Sequence, residues 1–381
     1  MKVGIVVPFS WSFWGAVNEH AELQAEALGE LGIETRTIIG NDPPGTFTRA
    51  LHPRHGRHGE PPDDVIPVGR SVIVPANGSL PNIVLTTRVL PRVRQALARE
   101  HFDVLHLHEP MTPGICVSAL AAARCPVVAT WHASGELNWY RAGLPLWGLL
   151  IDRIDYRIAV SEQARASVAR WLPAAYEVIP NGVLVPPAAD PVDREHSVVF
   201  IGRHDPRKGL PVLLRSWPEI HARTGARLRV VGADPLAVRL LLSRHRIPET
   251  GIDVLGFLTQ EDLTAELLRA KVLAAPSVGM ESFGMVLTRA FACAVPVVSS
   301  DIEGYRDVMT EDTGLLVPPG EPAALAEGVC TLLEDEPLRR RLGATARIAA
   351  VERYSWGSIA ERLAEVYELV VARAGKRRVP A

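Results

Sequence analysis

Apolar positions along the chain fall into short β-branched runs, separated by longer stretches in which they recur at helical spacing. Val3–Val7 is the first such run and reads as a buried parallel strand. A glycine-containing loop follows, then a helical stretch from Val17 to Leu31 and a second strand at Glu34–Ile39. Val104–Leu107, Val127–Thr130, Arg157–Val160 and Glu177–Ile179 continue the strand series, with helices such as Leu90–Arg99 between them. This alternation predicts a parallel sheet covered on both faces. His52–Asp64 breaks the rhythm with proline, glycine and charge, and predicts a mobile surface loop whose three histidines are solvated. Val185–Glu195 breaks it again and reads as an exposed linker. The alternation then restarts with Ser197–Ile201, Arg227–Val231, Asp253–Leu255, Val272–Ala275, Val295–Ser299 and Gly314–Val317. A last helix, Ser358–Ala374, carries an apolar stripe through Ile359, Leu363, Val366, Tyr367 and Val370. Two α/β domains are therefore expected, over residues 1–186 and 187–357.

Composition changes this picture little. Apolar residues make up 47% of the 381 and charged residues 22%, enough for two ordinary cores. A net charge of -2 excludes a global pull toward nucleic acid. Cys116, Cys125, Cys293 and Cys330 form no C-x-x-C pair and read as buried thiols of a reducing, cytoplasmic setting. Met1–Pro8 lacks the length and cleavage site of a signal peptide, and no apolar run is long enough to span a bilayer. Leu80–Arg99 combines apolar residues with Arg88, Arg92, Arg94 and Arg99. It reads either as a core-facing helix with an arginine rim or as a surface for peripheral contact with the inner face of the plasma membrane.

Four windows carry candidate chemistry. In the first, a strand ends at Ala275–Pro276, a loop delivers Glu281, and a helix is expected to start near Ser282–Phe283–Gly284. Unpaired N–H groups and the positive dipole end at such a start suit a diphosphate, and Glu281 suits sugar hydroxyls. The plainer alternative is that Glu281 and Ser282 cap the helix. In the second, Gly202–Gly209 (GRHDPRKG) brings Arg203 and Lys208 onto one loop after a strand, either to neutralise phosphate or as a solvated basic turn. In the third, FDVLHLHEP and VVATWHAS expose His106, His108 and His132 at strand ends, where open α/β sheets bind ligands. The fourth is the first strand–helix turn, where Gly15 would admit a phosphate close to the backbone. Neither a Walker A loop nor G-x-G-x-x-G is present, and no D-x-D occurs.

Taken in order, FDVLHLHEP, VVATWHAS, RIAVSEQAR, VIPNGV, FIGRHDPRKG, ESFGMVL and RYSW resemble the retaining GT-B glycosyltransferases of the large sucrose-synthase/mannosyltransferase family. The nearest likeness within it is to the actinobacterial phosphatidylinositol mannosyltransferases. The resemblance implies two Rossmann-like domains facing across a cleft, with helix 358–374 returning to the first. It implies a nucleotide-sugar donor such as GDP-mannose, with no cofactor or metal. Arg203 and Lys208 would hold the diphosphate, Glu281 the donor sugar, and Ser282, Phe283 and Gly284 would add backbone contacts. Gly15 and Arg289 would complete the donor site, His132 would lie by the reacting sugar, and Asn18 and Asn77 would meet the acceptor. The acceptor would be a hydroxyl of a lipid or glycan.

The chain departs from the family at several of these places. Arg289 stands where a second glutamate is usual, eight residues after Glu281. Gly15-Ala16 replaces a glycine pair, Leu184 follows Asn181-Gly182-Val183 in place of aspartate, and Lys271 stands where aspartate is common. Asn82 and Leu137 occupy acceptor-region positions that are basic in the phosphatidylinositol enzymes. Arg289 is the feature that favours the competing reading, a degenerate GT-B protein that binds a nucleotide or partner without turnover. An epimerase releasing the sugar nucleotide to water is disfavoured by the ESFG turn and the GRHDPRKG loop.

Overall fold

A computed structural model describes residues 1–13, 15–46, 48, 60–74, 82–86, 88–133, 148–187, 194–203, 205–279 and 281–378. Asn77, Leu137 and much of the segments 52–64 and 185–195 lie outside them. The chain divides into two compact units, one of Met1–Gly182 with Trp356–Ala381, the other of Val183–Ser355.

The first unit is built on a seven-stranded sheet. Its strands are β1 (Lys2–Ser10), β2 (Glu34–Gly40), β3 (Val65–Pro67), then β6 (Val104–His108), β7 (Val127–Trp131), β8 (Tyr156–Ala159) and β9 (Glu177–Val178), in the order β3-β2-β1-β6-β7-β8-β9. A separate antiparallel pair, β4 (Val72–Ile73) and β5 (Asn82–Ile83), lies in between in sequence. Every pairing in the large sheet is parallel. Alternate residues of each strand enter different cores. Leu105, Leu107, Val127 and Ala129 pack with α2 (Val89–Glu100) and α3 (Ile115–Ala122). Val3, Ile5, Val104 and Val128 pack with α1 (Ala16–Glu30) and the C-terminal helix, Trp356–Arg378. Burial on both faces explains the apolar run of β1, Val3 and Ile5–Val7. The stripe Ile359, Leu363, Val366, Tyr367 and Val370 is wholly buried in this second core.

The second unit holds a six-stranded parallel sheet. Its strands β10 (Glu195–Ile201), β11 (Arg227–Val231), β12 (Ile252–Gly256), β13 (Ala270–Ala275), β14 (Val297–Ser300) and β15 (Gly314–Val317) lie in the order β12-β11-β10-β13-β14-β15. Among its helices are α4 (Leu210–Thr224), α5 (Pro235–His245), α6 (Gln260–Arg269), α7 (Met285–Ala292), α8 (Pro322–Glu334) and α9 (Glu336–Ala349). Both sheets thus run outward in both directions from a central strand, the doubly wound arrangement. Each has a topological switch point, at β1/β6 and at β10/β13, where ligands bind beyond the carboxyl ends of the strands.

Three expectations become more definite. The helix after Glu281 begins at Met285, directly after the expected Ser282–Gly284 start, and its N-cap is Gly284. Gly284 has φ +75°, and a Cβ there would come within 2.9 Å of Tyr305 ring atoms, so a left-handed glycine sets the helix start. The expected linker Val185–Glu195 is held at its start, where the Pro186 carbonyl accepts from Arg347 at 2.7 Å, and just before it the Val183 N–H donates to the Tyr354 carbonyl at 2.7 Å. The boundary therefore falls at Gly182/Val183, four residues before the expected Pro186. Finally, Ile83, Val84, Val89 and Val93 of the 80–99 segment are buried in the first unit's core, while its four arginines are exposed. Its helical part, α2, thus turns an apolar face to the core and an arginine rim to solvent. No helix among the described residues is long and apolar enough to cross one.

Candidate active site

In the second unit, residues of two switch-point strands converge. After β10 the chain passes Gly202 and Arg203, makes a short 3-10 turn at Pro206–Lys208, and enters α4 through Gly209. The Asp205 carboxylate caps the turn by accepting from the Arg207 N–H at 3.0 Å, and it also holds the Arg207 guanidinium. That pairing keeps the Asp205 pKa down at about 2. Gly209 has φ +71°, and a Cβ on it would lie 1.8 Å from the carbonyl oxygen of Pro276. Only glycine lets this loop press against the end of β13. The Val278 N–H donates to the Arg207 carbonyl at 2.8 Å and ties the two loops again.

That apposition brings Lys208 Nζ to 2.6 Å from Glu281 Oε1. Ser277 Oγ donates to the same oxygen at 3.1 Å and lies 2.8 Å from the Tyr305 hydroxyl. Glu281 is thus engaged by a cation and a hydroxyl rather than serving as a helix cap. Arg203 is exposed, and its charge adds to the Arg207 pairing in holding the Asp205 pKa down. Phe283 is buried, with its ring 5.8 Å from that of Tyr354, so only its backbone is available to a ligand. Ser282 is half-buried just before the helix.

Arg289 lies in the last turn of α7, and is half-buried. Since Glu281 precedes the helix, the two residues share no helical register. A cation there complements the negative end of the helix dipole.

In the first unit the strand ends gather four histidines. His106 is buried, with Nδ1 2.6 Å from the Tyr367 hydroxyl and Nε2 2.7 Å from Thr130 Oγ1. Both nitrogens are satisfied inside the core, so His106 is structural. His108 stacks on it with ring centroids 4.7 Å apart. His108 Nδ1 and His132 Nε2 are 2.9 Å apart, which requires a proton on one of them. His20 packs edge-on against His132 at 4.8 Å. Burial drives all four pKa values down, to about 4 for His132 and about 3 for His106, so the imidazoles are neutral at pH 7.

Glu109, which sequence reasoning passed over within FDVLHLHEP, holds His132 in place. Its Oε1 accepts from the N–H groups of His132 and Ala133, both at 2.7 Å. Its backbone is left-handed at φ +53°, which costs a non-glycine residue about 1–2 kcal/mol. Its two hydrogen bonds join the turn after β6 to the turn after β7 and offset that cost. A strained residue next to a strand-end histidine was the available signal, but no sequence pattern displays φ.

His20, His108 and His132 bring ring nitrogens within 4.8 Å of one another, the set among the described residues able to hold a metal ion. The present hydrogen bond between His108 and His132 would have to break first. Asn18 donates to the carbonyls of Ser10 and Phe13 and braces the first loop. Its Oδ1 is buried without a partner. Gly15, the N-cap of α1, is extended, and a Cβ there would meet nothing within 4 Å. Neither backbone shape nor packing within the chain requires glycine at that point.

Residues 17–185 match the family described as Glycosyltransferase Family 4, and residues 195–335 match Glycosyl transferases group 1. The phosphatidyl-myo-inositol mannosyltransferase of Mycobacterium leprae is 34% identical over the whole of both chains. That of Propionibacterium freudenreichii is 33% identical over 96% of this chain and 94% of its own. Among solved structures, sucrose-phosphate synthase of Thermosynechococcus elongatus matches with a TM-score of 0.74 at 21% identity, over 98% of this chain and all of that one. Anabaena HepE in complex with UDP and glucose matches with a TM-score of 0.70 at 20% identity, over 97% of this chain and all of that one. The chain has the GT-B fold, and it belongs to the glycosyltransferase family of the phosphatidyl-myo-inositol mannosyltransferases.

Proposed function

We propose that this glycosyltransferase is a retaining, metal-independent enzyme that moves mannose from a nucleoside diphosphate donor, GDP-mannose, to a hydroxyl of a lipid or glycan. The Lys208–Glu281 pair at the carboxyl ends of β10 and β13, with exposed Arg203 on the same loop as Lys208, supports this reading. Breaking the bond between the anomeric carbon and the phosphate oxygen sends its electron pair to the diphosphate. Arg203 and Lys208 stabilise that charge without a metal. The acceptor oxygen bonds to the anomeric carbon on the face the diphosphate leaves, and its proton passes to the departing phosphate oxygen. Glu281 fixes the sugar hydroxyls and Lys208 together. Backbone N–H groups around Ser282–Gly284 assist at the phosphates, and Gly15 gives the donor open access to the start of α1. His132, neutral and oriented by Glu109, acts as hydrogen-bond partner of the reacting sugar. Asn18 is assigned to the acceptor. The mannosyl and lipid parts of this reading are supported by the names of the relatives at 33–34% identity.

The test is a panel of nucleotide sugars offered with phosphatidylinositol, simpler polyol lipids and oligosaccharides, with and without EDTA. The expected result is mannosyl transfer that survives EDTA and preserves the donor's anomeric configuration by NMR. An inverted product would refute retention. Loss of turnover in EDTA, restored by a divalent ion, would refute metal independence and point to the histidine trio.

A further inference from the structure

The second unit has a cavity of about 500 Å³ at the edge of its sheet opposite the Lys208 loop. It opens at the amino ends of β10, β13 and β14, where Arg194, Lys271 and Pro296 sit. At about 3.3 Å per residue, the seven-residue strand β10 sets it roughly 20 Å from Arg203. Arg194, Lys271, Arg339, Arg340 and Arg347 line it with one acid, Glu352, and Arg340 is also paired with Glu336 at 2.6 Å.

The three inner arginines are held by carbonyls rather than carboxylates. Arg194 donates to the carbonyls of Ala270 at 2.9 Å and Cys293 at 2.6 Å. Arg347 donates to those of Ala292 and Pro186, and Arg339 to those of Leu332 and Leu333 at 2.9 and 3.1 Å. Such bonds satisfy the donors and fix the side chains but leave the charge unneutralised. The acid nearest Arg339, Glu336, stands 3.9 Å away and is shared with exposed Arg340. Burial, then Arg339, holds Lys271 below its ordinary pKa, a sign of like charge gathered in a low-dielectric place. The remaining wall is apolar: Pro296, Ile348 and Val351, the last two 57% and 44% exposed at the rim.

We propose that this cavity binds an amphiphilic organic anion, a phosphate or carboxylate carried on an alkyl or acyl body. Fixed cations inside and an apolar rim outside match the two ends of such a molecule. The volume falls in the range of small-molecule sites, about 300–1,000 Å³, and is several times what a bare phosphate fills. The anion comes from a free amphiphile or from a lipid in a bilayer.

Calorimetric titration of the full chain with dodecyl phosphate, inorganic phosphate and dodecyl maltoside tests this. Lys271→Gln and Arg340→Gln are the variants, because neither side chain is held by a carbonyl among the described residues; unchanged unfolding temperatures would show that both fold. Dodecyl phosphate should bind at one equivalent, at least tenfold more weakly to either variant, and the two controls should not saturate. Flotation with phosphatidylglycerol vesicles identifies the source. Wild-type protein that floats while the variants stay behind assigns a bilayer lipid, and dodecyl phosphate binding without flotation assigns a free amphiphile. No saturable binding, equal binding to both variants, or inorganic phosphate binding as tightly would each overturn the proposal.

Discussion

Lys208 Nζ and Glu281 Oε1 are 2.6 Å apart although 73 residues separate them in sequence. The contact depends on Gly209, whose missing Cβ allows the basic loop to touch the Pro276 carbonyl. The pair fixes the Lys208 ammonium at the carboxyl ends of β10 and β13.

Arg203→Ala and Lys208→Ala should each lower kcat/KM for the donor by roughly 10- to 150-fold. That corresponds to about 1.5–3 kcal/mol for one charge-assisted contact. Lys208→Ala should cost more, since it also strands the Glu281 carboxylate, which is only 12% exposed. Steady-state kinetics of the two variants provides the check. Wild-type turnover in both would remove this loop from the donor site.

Two glycines should behave oppositely. Gly209→Ala meets both a positive φ and a 1.8 Å clash with backbone, and should destabilise the protein by about 2 kcal/mol or more. Gly15→Ala adds a methyl in open space on an extended backbone, so its unfolding midpoint should not fall. Its donor use should nonetheless drop if a phosphate approaches there. Paired denaturation and kinetic measurements would show it, and a fully active Gly15→Ala would remove Gly15 from the site.

Stability should fall as the pH drops from about 6.5 toward 4. His132 is held down to about 4 and His106 to about 3, and His20 and His108 are also lowered by burial. In this window the unfolded chain takes up protons that the folded chain refuses, each group contributing at most about 1.4 kcal/mol per pH unit. Glu109, raised by burial, works the other way: its proton favours the folded state just above pH 4.5. Urea midpoints at several pH values measure the net slope, which should be shallower in His132→Asn. An unchanged slope in that variant would mean that His132 titrates normally.

Ala294 ends the turn after α7 with φ +53°. Glycine there removes the left-handed penalty, so Ala294→Gly should stabilise the chain by about 1 kcal/mol. Thermal unfolding gives the sign directly, and a lower midpoint would show that the methyl's packing outweighs the strain.

The sequence by itself determined the strand series, because buried strands favour short β-branched and apolar runs, and it determined the C-terminal helix through its stripe at Ile359, Leu363, Val366, Tyr367 and Val370. These are local patterns, visible in a window of a few residues. Tertiary structure alone decided what depends on distant partners. Whether His106 or His132 is free to act turns on Tyr367, 261 residues from His106, which fills the His106 Nδ1 position. The start of α7 at Met285 turns on the Tyr305 ring against Gly284. The side of the 80–99 segment that meets the core turns on its packing with α3 and the sheet. Glu281 likewise looks like a helix cap in sequence and becomes the partner of Lys208 only when β10 and β13 lie side by side in the sheet.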